Sequence, residues 1–163
     1  MTIEMAEAAV LGPKDGKLVT PTPGFMIVFK AWGERNPGNY DVAEFSLPSG
    51  GSGPRPHRHH RNEELFYVLE GELEFLVGER AVVIGTGSVA FVPPETIHAF
   101  RNAGSGQARF LLIASPSGLH RYFEEMAGLS ASRRLDIGAM TELRLKYDTE
   151  EVDVAWGEGK SLT

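Results

Sequence analysis

The chain has 163 residues, a formal net charge of −6 and no cysteine. The length fits one domain with a single core, and the lack of cysteine excludes disulfides, thiolate metal ligands and a cysteine nucleophile. The negative charge argues against nucleic acid as a partner, and no apolar run approaches the ~20 residues that span a bilayer. The start carries Glu4 and Glu7 but no basic residue, unlike a secretory signal. We therefore expect a cytoplasmic protein that binds neither nucleic acid nor membrane.

Short β-strands separated by glycine and proline are predicted from about residue 24 to residue 116. A turn at Glu70-Gly71 joins two of them into a hairpin, and the strand that follows alternates apolar and polar residues like a half-buried strand. Strands at intervals of about 8–12 residues with no helical pattern between them indicate an all-β antiparallel sandwich or barrel. The predicted strands are Phe25–Trp32, Tyr40–Leu47, Glu64–Leu69, Glu72–Val77, Ala81–Ile84, Ser88–Val92, Ile97–Phe100 and Arg109–Ala114.

Two helices are predicted after Pro116. The first has one apolar face at i, i+3, i+4 and i+7 and a candidate N-cap at Ser117; that face comprises Leu119, Tyr122, Phe123 and Met126. The second runs from about Asp136 to Tyr147, with a candidate apolar face of Ile137, Met140, Leu143 and Leu145. The acidic tail from Asp148 is expected to be loosely held or to dock on a partner subunit. The predicted organisation is an N-terminal segment over residues 1–23, a barrel over 24–116 and a helical extension over 117–163.

Four of the five histidines lie near the ends of predicted strands. His57 and His59 are two residues apart, so in an extended chain both rings point to the same side. His98 follows the Pro93-Pro94 break, and in a barrel it could meet them. Glu63 and Glu64 point to opposite faces of one strand, so either one of them, but not both, could add a carboxylate to the site. Such a mixed nitrogen and oxygen site suits a first-row divalent metal. His60 and His120 are expected to be ordinary solvated side chains.

Two segments resemble the paired motifs of the cupin superfamily. In the first motif Gly51, His57, His59, Glu64 and Gly71 fall in register. The second motif is matched by Gly87, Pro93, His98 and Asn102, whereas Glu95 stands where the family pattern has glycine. The spacing of the first motif places Glu64, not Glu63, at the position of the motif's glutamate. The role of Glu95 is left open.

This resemblance implies a cupin jelly-roll barrel, also called a double-stranded β-helix, with C-terminal helices added. It implies one divalent transition metal ion held by His57, His59, Glu64 and His98. The donor set does not choose among Fe, Mn, Ni, Co, Cu and Zn. Single-domain cupins of this kind imply a homodimer, with subunit contacts through the segments outside the barrel.

A fold of this kind hosts many activities, so function must be argued from the site. The chain resembles small bacterial cupins related to quercetin 2,3-dioxygenase, which implies a dioxygenase-like oxidoreductase acting on a small flavonol-like or other enolisable substrate. Glu64 would then be both a ligand and a catalytic base. The phenylalanines that could line an aromatic pocket, if they are not simply core, are Phe45, Phe75, Phe91, Phe100 and Phe110.

Two alternatives use the same residues differently. A metal-dependent isomerase or lyase would act on a sugar or small acid without oxygen, with Arg55, Arg58 or Arg101 holding an anionic group. A non-catalytic small-molecule binding or sensing cupin would use the metal structurally or not at all.

Overall fold

Two six-stranded β-sheets and two α-helices make up the computed structural model, which describes residues 8–33, 35, 36, 38–156, 160 and 161. The first sheet has the order β1-β2-β3-β10-β5-β8 and the second the order β11-β4-β9-β6-β7-β12. The elements are β1 (Lys17–Thr22), β2 (Phe25–Ala31), β3 (Asp41–Leu47), β4 (His57–His59), β5 (Glu63–Glu70), β6 (Glu72–Val77), β7 (Arg80–Gly85), β8 (Val89–Val92), β9 (His98–Asn102), β10 (Ala108–Ser115), α1 (Leu119–Ala131), α2 (Ile137–Lys146), β11 (Thr149–Glu151) and β12 (Lys160–Ser161).

The core lies between the two sheets. Side chains alternate between buried and half-buried along β3 and β10, as expected for strands with one face on a core. Phe66 of β5 contacts Phe75 of β6 with ring centroids 4.7 Å apart, and Phe45 stacks on Phe110 at 5.1 Å. The prediction of an all-β jelly-roll barrel with C-terminal helices is confirmed.

Strand β6 is buried on both faces, so the prediction that it is half-buried is wrong. Glu74 and Leu76 point away from Leu73 and Phe75, yet all four are buried. Glu74 forms an ion pair with Arg101, whose guanidinium lies 4.6 Å from the centre of the Trp156 ring. The C-terminal segment therefore covers part of a face that the alternating pattern assigns to solvent.

The sheets also extend beyond the predicted barrel at both ends. Strand β1 pairs with β2 and precedes residue 24, and β11 pairs with β4 from within the predicted helical extension. The segment KLVTPT is interrupted by a proline and TEE has no apolar residue, so both carry only a weak strand signal. The tail from Asp148 docks, in its first residues, on its own chain.

Helix α1 is held at its start by a strand of the first sheet. Its N-cap residue is Gly118, not the predicted Ser117, and makes no side-chain cap. The carboxylate of Asp41 in β3 instead accepts hydrogen bonds from the backbone N–H groups of Gly118 and His120, both at 3.0 Å, and from Ser117 Oγ. The His120 ring lies 3.1 Å from the same carboxylate and is only 1% exposed, so the prediction that it is solvated is wrong.

Helix α2 packs through a narrower stripe than predicted. Asp136 caps it by accepting a hydrogen bond from the N–H of Ala139. Leu143 is buried and Met140 packs against the core, but Ile137 is 87% exposed and Leu145 76% exposed. Met140, Leu143 and Tyr147 lie along one side of the helix and pack against the core. Ile137 and Leu145 lie outside this stripe and do not contact the core. No described helix has the length and apolar character needed to cross a membrane.

Candidate metal centre

Three neighbouring strands bring together the four residues that the motifs select. His57 and His59 stand at the two ends of β4 and both are buried, because alternate residues of a strand share a face. His98 begins β9 and lies opposite His57 in the antiparallel register, while Glu64 comes from β5 in the other sheet. One ligand atom from each of the four lies within 4.8 Å of the others. Glu63, the rival carboxylate, is exposed.

Backbone carbonyls orient all three imidazole rings. The Nδ1 atoms of His57, His59 and His98 lie 2.9, 3.1 and 3.0 Å from the carbonyl oxygens of Arg55, Asp148 and Thr96, respectively. A carbonyl only accepts, so each ring carries a proton on Nδ1 and turns its Nε2 atom toward the centre of the cluster. Two of these carbonyls lie two residues from their histidine, and the third belongs to the segment before β11. These partners could not be identified from the sequence.

The cluster is a buried carboxylate among imidazoles. Glu64 Oε2 lies 2.9 Å from His98 Nε2, and its Oε1 lies 3.6 Å from His59 Nε2. Burial raises the pKa of Glu64, but the hydrogen bond from His98 and the nearby imidazoles outweigh it and lower that pKa to about 2. Burial, with the neighbouring His98 and His59, lowers the pKa of His57 to about 3. Burial also opposes charge on His98, but the hydrogen bond and charge of Glu64 raise its pKa.

This donor set fits a metal ion. Glu64 is ionised and the imidazole of His57 is neutral near pH 7, which are the forms that bind metal. Three imidazole nitrogens and one carboxylate oxygen suit a first-row divalent ion and do not select one. The residues that could hold it are His57, His59, Glu64 and His98.

Glu95 and His60 form a polar rim beside the cluster. Glu95 adopts φ of 66°, a left-handed conformation that glycine adopts without strain, which explains why the family pattern has glycine there. Its carboxylate lies 2.8 Å from the exposed His60 ring and 3.7 Å from Arg58. His60 also contacts Glu150 of β11 at 3.2 Å. These contacts join the loop after β8 to the C-terminal extension.

A cavity of about 340 Å³ opens beside the cluster. His57, His59 and Glu64 form part of its wall, and most of the remaining wall is apolar. Of the five candidate phenylalanines, Phe45 and Phe100 line it; Phe75 and Phe110 are buried elsewhere in the core, and Phe91 is 54% exposed. The size falls in the range of small-molecule sites, about 300–1,000 Å³.

The C-terminal extension of the same chain completes this cavity. Its wall includes the α1 face and residues of α2 and β11: Leu119, Tyr122, Phe123, Met126, Met140, Arg144, Thr149 and Glu151. The helical spacing of the α1 residues indicates a buried face but not what it faces. No local pattern marks Arg144 and Glu151 as cavity residues.

Comparisons with known proteins agree with this fold. Residues 43–114 match the family model of the cupin domain. A curated relative, the uncharacterized protein MJ1618 of Methanocaldococcus jannaschii, is 29% identical over 79 residues, which are 48% of this chain and 62% of that protein.

Two solved structures have similar folds. KdgF from a Halomonas species matches with a TM-score of 0.61 and 18% identity, over 69% of this chain and 99% of that one. The polyketide cyclase RemF of Streptomyces resistomycificus matches with a TM-score of 0.58 and 23% identity, over 68% and 81%. At such low identity these structures speak for the fold alone. The match of residues 43–114 to the cupin domain model and the likeness to these structures agree with the jelly-roll fold described above.

Proposed function

We propose that the protein is a metal-dependent cupin enzyme that acts on a small, largely apolar substrate with an enolisable oxygen, by dioxygenase-like chemistry. The observation that carries this proposal is the position of the cluster: His57, His59 and Glu64 face an apolar cavity large enough for a small molecule. A buried histidine cluster with no adjoining cavity would favour a structural metal instead.

The metal ion and the residues around it would have separate roles in the reaction. A bound divalent ion would supply Lewis-acid polarisation of a substrate oxygen. Glu64, ionised and in the cavity wall, would accept the proton of a substrate hydroxyl brought within hydrogen-bond distance. The carbonyls of Arg55, Asp148 and Thr96 would hold the rings in place, and α1 would exclude water by closing the cavity.

The character of the cavity wall favours a flavonol-like ring over a sugar. Phe25, Phe45, Phe100, Phe123 and Met126 are among its lining residues. A sugar would leave several hydroxyl groups without partners against these side chains, which is costly. The isomerase or lyase alternative therefore needs a less polar substrate than a sugar, and the binding-module alternative differs only in the absence of turnover.

Metal analysis and oxygen uptake test the proposal together. Purified protein should contain close to one divalent ion per chain, and a His57→Ala, His98→Ala double variant should lose it, whereas His60→Ala should retain it. Metal-loaded wild type should consume oxygen with a member of a flavonol panel. Turnover of an enolisable substrate without oxygen uptake would favour the isomerase or lyase reaction. Full metal content in the double variant would reject the site.

Glu64→Gln examines the base role separately. The variant removes the negative charge but keeps an oxygen ligand of similar size. If metal is retained and the rate falls at least tenfold, the base role is supported; general-base catalysis is worth about 10²–10⁴. An unchanged rate with metal retained would remove that role.

We also propose that the protein is a homodimer, joined through the outer face of the first sheet rather than through the segments outside the barrel that the sequence suggested. Tyr67, Val89 and Phe91 are exposed on neighbouring strands β5 and β8, and contiguous apolar surface of this kind marks interaction sites. Arg109 on the same sheet pairs with Glu44 and Glu70, so its charge is balanced within the chain and does not oppose contact between two copies. Light scattering should give twice the chain mass, and Phe91→Lys should shift it to the monomer; a wild-type monomer would reject this interface.

A further inference from the structure

An ion-pair cluster lies at the mouth of the cavity. A second, larger surface groove lies outside the cavity, between α2 and residues 149–154. The two spaces share part of their lining, and these shared residues form the mouth: Arg55, Leu135, Met140, Arg144, Thr149 and Glu151. A ligand that enters from the groove must pass them.

Charge at this mouth is unbalanced. The Glu151 carboxylate lies 2.5 Å from Arg144 Nη1 and 3.2 Å from Arg55 Nη1, so one negative group faces two guanidinium groups. Tyr122 is also in the cavity wall, where the positive charge of Arg144 acts on its hydroxyl. Glu64, the other carboxylate in the lining, belongs to the metal centre. The mouth therefore carries a net charge of about +1 beside an apolar chamber.

Two other arginines near the site are committed elsewhere. Arg58 is bound through two nitrogens to Glu150, and Arg101 lies between Glu74 and the Trp156 ring. Neither lines the cavity. Of the three arginines expected from the sequence to hold an anion, only Arg55 lies at the mouth, and its side chain is 80% exposed. Arg144, at 23% exposure, is the more desolvated partner and so the stronger one.

The acidic residues of the outer groove do not cancel this charge. Asp136, which caps α2 through Ala139, is exposed and screened by water and salt, and Glu150 is paired with Arg58. Asp153 is exposed, where water and salt screen it. The uncompensated positive charge is thus confined to the mouth.

We infer that Arg144, assisted by Arg55, is an anion-binding subsite, and that the substrate is an apolar molecule bearing a carboxylate. Its ring would lie in the chamber, and its carboxylate would take the place of Glu151 on the Arg144 guanidinium, whose fork of N–H groups matches a carboxylate. This inference rests on the proposed function, since it requires the cavity to be the substrate site.

Two probes of nearly the same shape isolate the charge: 2-naphthoate and its neutral carboxamide, 2-naphthamide. Their affinities are measured by calorimetry for zinc-loaded protein and for protein treated with chelator, so that capture by a metal is separated from capture by arginine. In the chelator-treated protein, Arg144→Met should weaken the binding of 2-naphthoate at least tenfold, because a charge-assisted hydrogen bond is lost. The same substitution should change the affinity for 2-naphthamide by less than about threefold. Arg144→Lys should keep most of the 2-naphthoate affinity.

Two further variants complete the design. Glu151→Gln removes the competing carboxylate and should raise the affinity for 2-naphthoate about fivefold or more. This variant tests the inference if Arg144→Met does not fold. Arg80→Met is the matched control, an exposed arginine that lines neither the cavity nor the groove, and should change neither affinity.

The inference is overturned if Arg144→Met weakens both probes equally, because Arg144 then only holds α2 in place, or if Glu151→Gln leaves 2-naphthoate unchanged. In both cases, continued binding of 2-naphthamide to wild type leaves the proposed function standing. If wild type binds neither probe, the apolar substrate class of the proposed function falls as well.

Discussion

Replacing His98 with alanine should have two separable effects on thermal stability. His98 has no exposed surface, and its Nε2 lies 2.9 Å from Glu64 Oε2. Removing the ring leaves a buried carboxylate without its nearest partner, a change that costs about 3–5 kcal/mol. For a chain of this size each kcal/mol moves the melting temperature by about 2–4 °C. Metal-free His98→Ala should therefore melt roughly 6–20 °C below metal-free wild type.

The second effect is the loss of stabilisation by metal. A ligand present at 100 times its dissociation constant stabilises the folded state by about 2.7 kcal/mol, so zinc at that excess should raise the wild-type melting temperature by about 5–11 °C. His98→Ala lacks one of the four ligands and should show little of this rise. His60→Ala is the control: that ring is exposed and lies outside the cluster, so the full rise should persist.

Circular dichroism melts of the three proteins, with and without zinc, measure both effects. The reasoning is refuted if His98→Ala gains as much from zinc as wild type does. It is also refuted if metal-free His98→Ala has the same melting temperature as metal-free wild type, since the buried pair would then contribute nothing to stability.

Three other predictions concern the site and its surroundings. Asp41→Ala removes the acceptor of two backbone N–H groups and the partner of the buried His120 ring, and should cost about 3–5 kcal/mol in urea unfolding. Asp136→Ala removes an exposed N-cap and should cost only about 1 kcal/mol; equal losses would contradict the assigned role of Asp41. At Glu95, whose φ is 66°, glycine should be at least as stable as wild type, because it relieves about 1 kcal/mol of strain and loses exposed ion pairs worth no more than that. Alanine at the same position keeps the strain and loses the pairs, so a more stable Glu95→Ala than Glu95→Gly would refute this account. The pKa of Glu64 is about 2 in the folded chain and near 4.5 in the unfolded one, so its contribution is present above pH 4.5 and is lost as the pH falls toward 2. Metal-free Glu64→Gln should lose less stability than wild type over that window, and parallel curves would count against the paired carboxylate.

The sequence by itself determined the parts of the protein that depend on short-range pattern. Strand spacing, the Glu70-Gly71 turn and the helical spacing after Pro116 predicted the barrel and both helices, because side-chain periodicity reports local backbone geometry. The motif register pointed to His57, His59, Glu64 and His98, and these four lie together in the structure.

Only the tertiary structure decided what the C-terminal extension does. β11 pairs with β4, the strand that carries His57 and His59, and the Asp148 carbonyl orients the His59 ring. Arg144 and Glu151 form part of the cavity wall. The burial of His120 against Asp41 is of the same kind, since residues 79 positions apart meet there. Each of these contacts joins segments distant in sequence through polar or short stretches with no periodicity of their own. Hydrophobic pattern records which side of an element is buried, whereas the identity of the neighbour follows from how the whole chain packs.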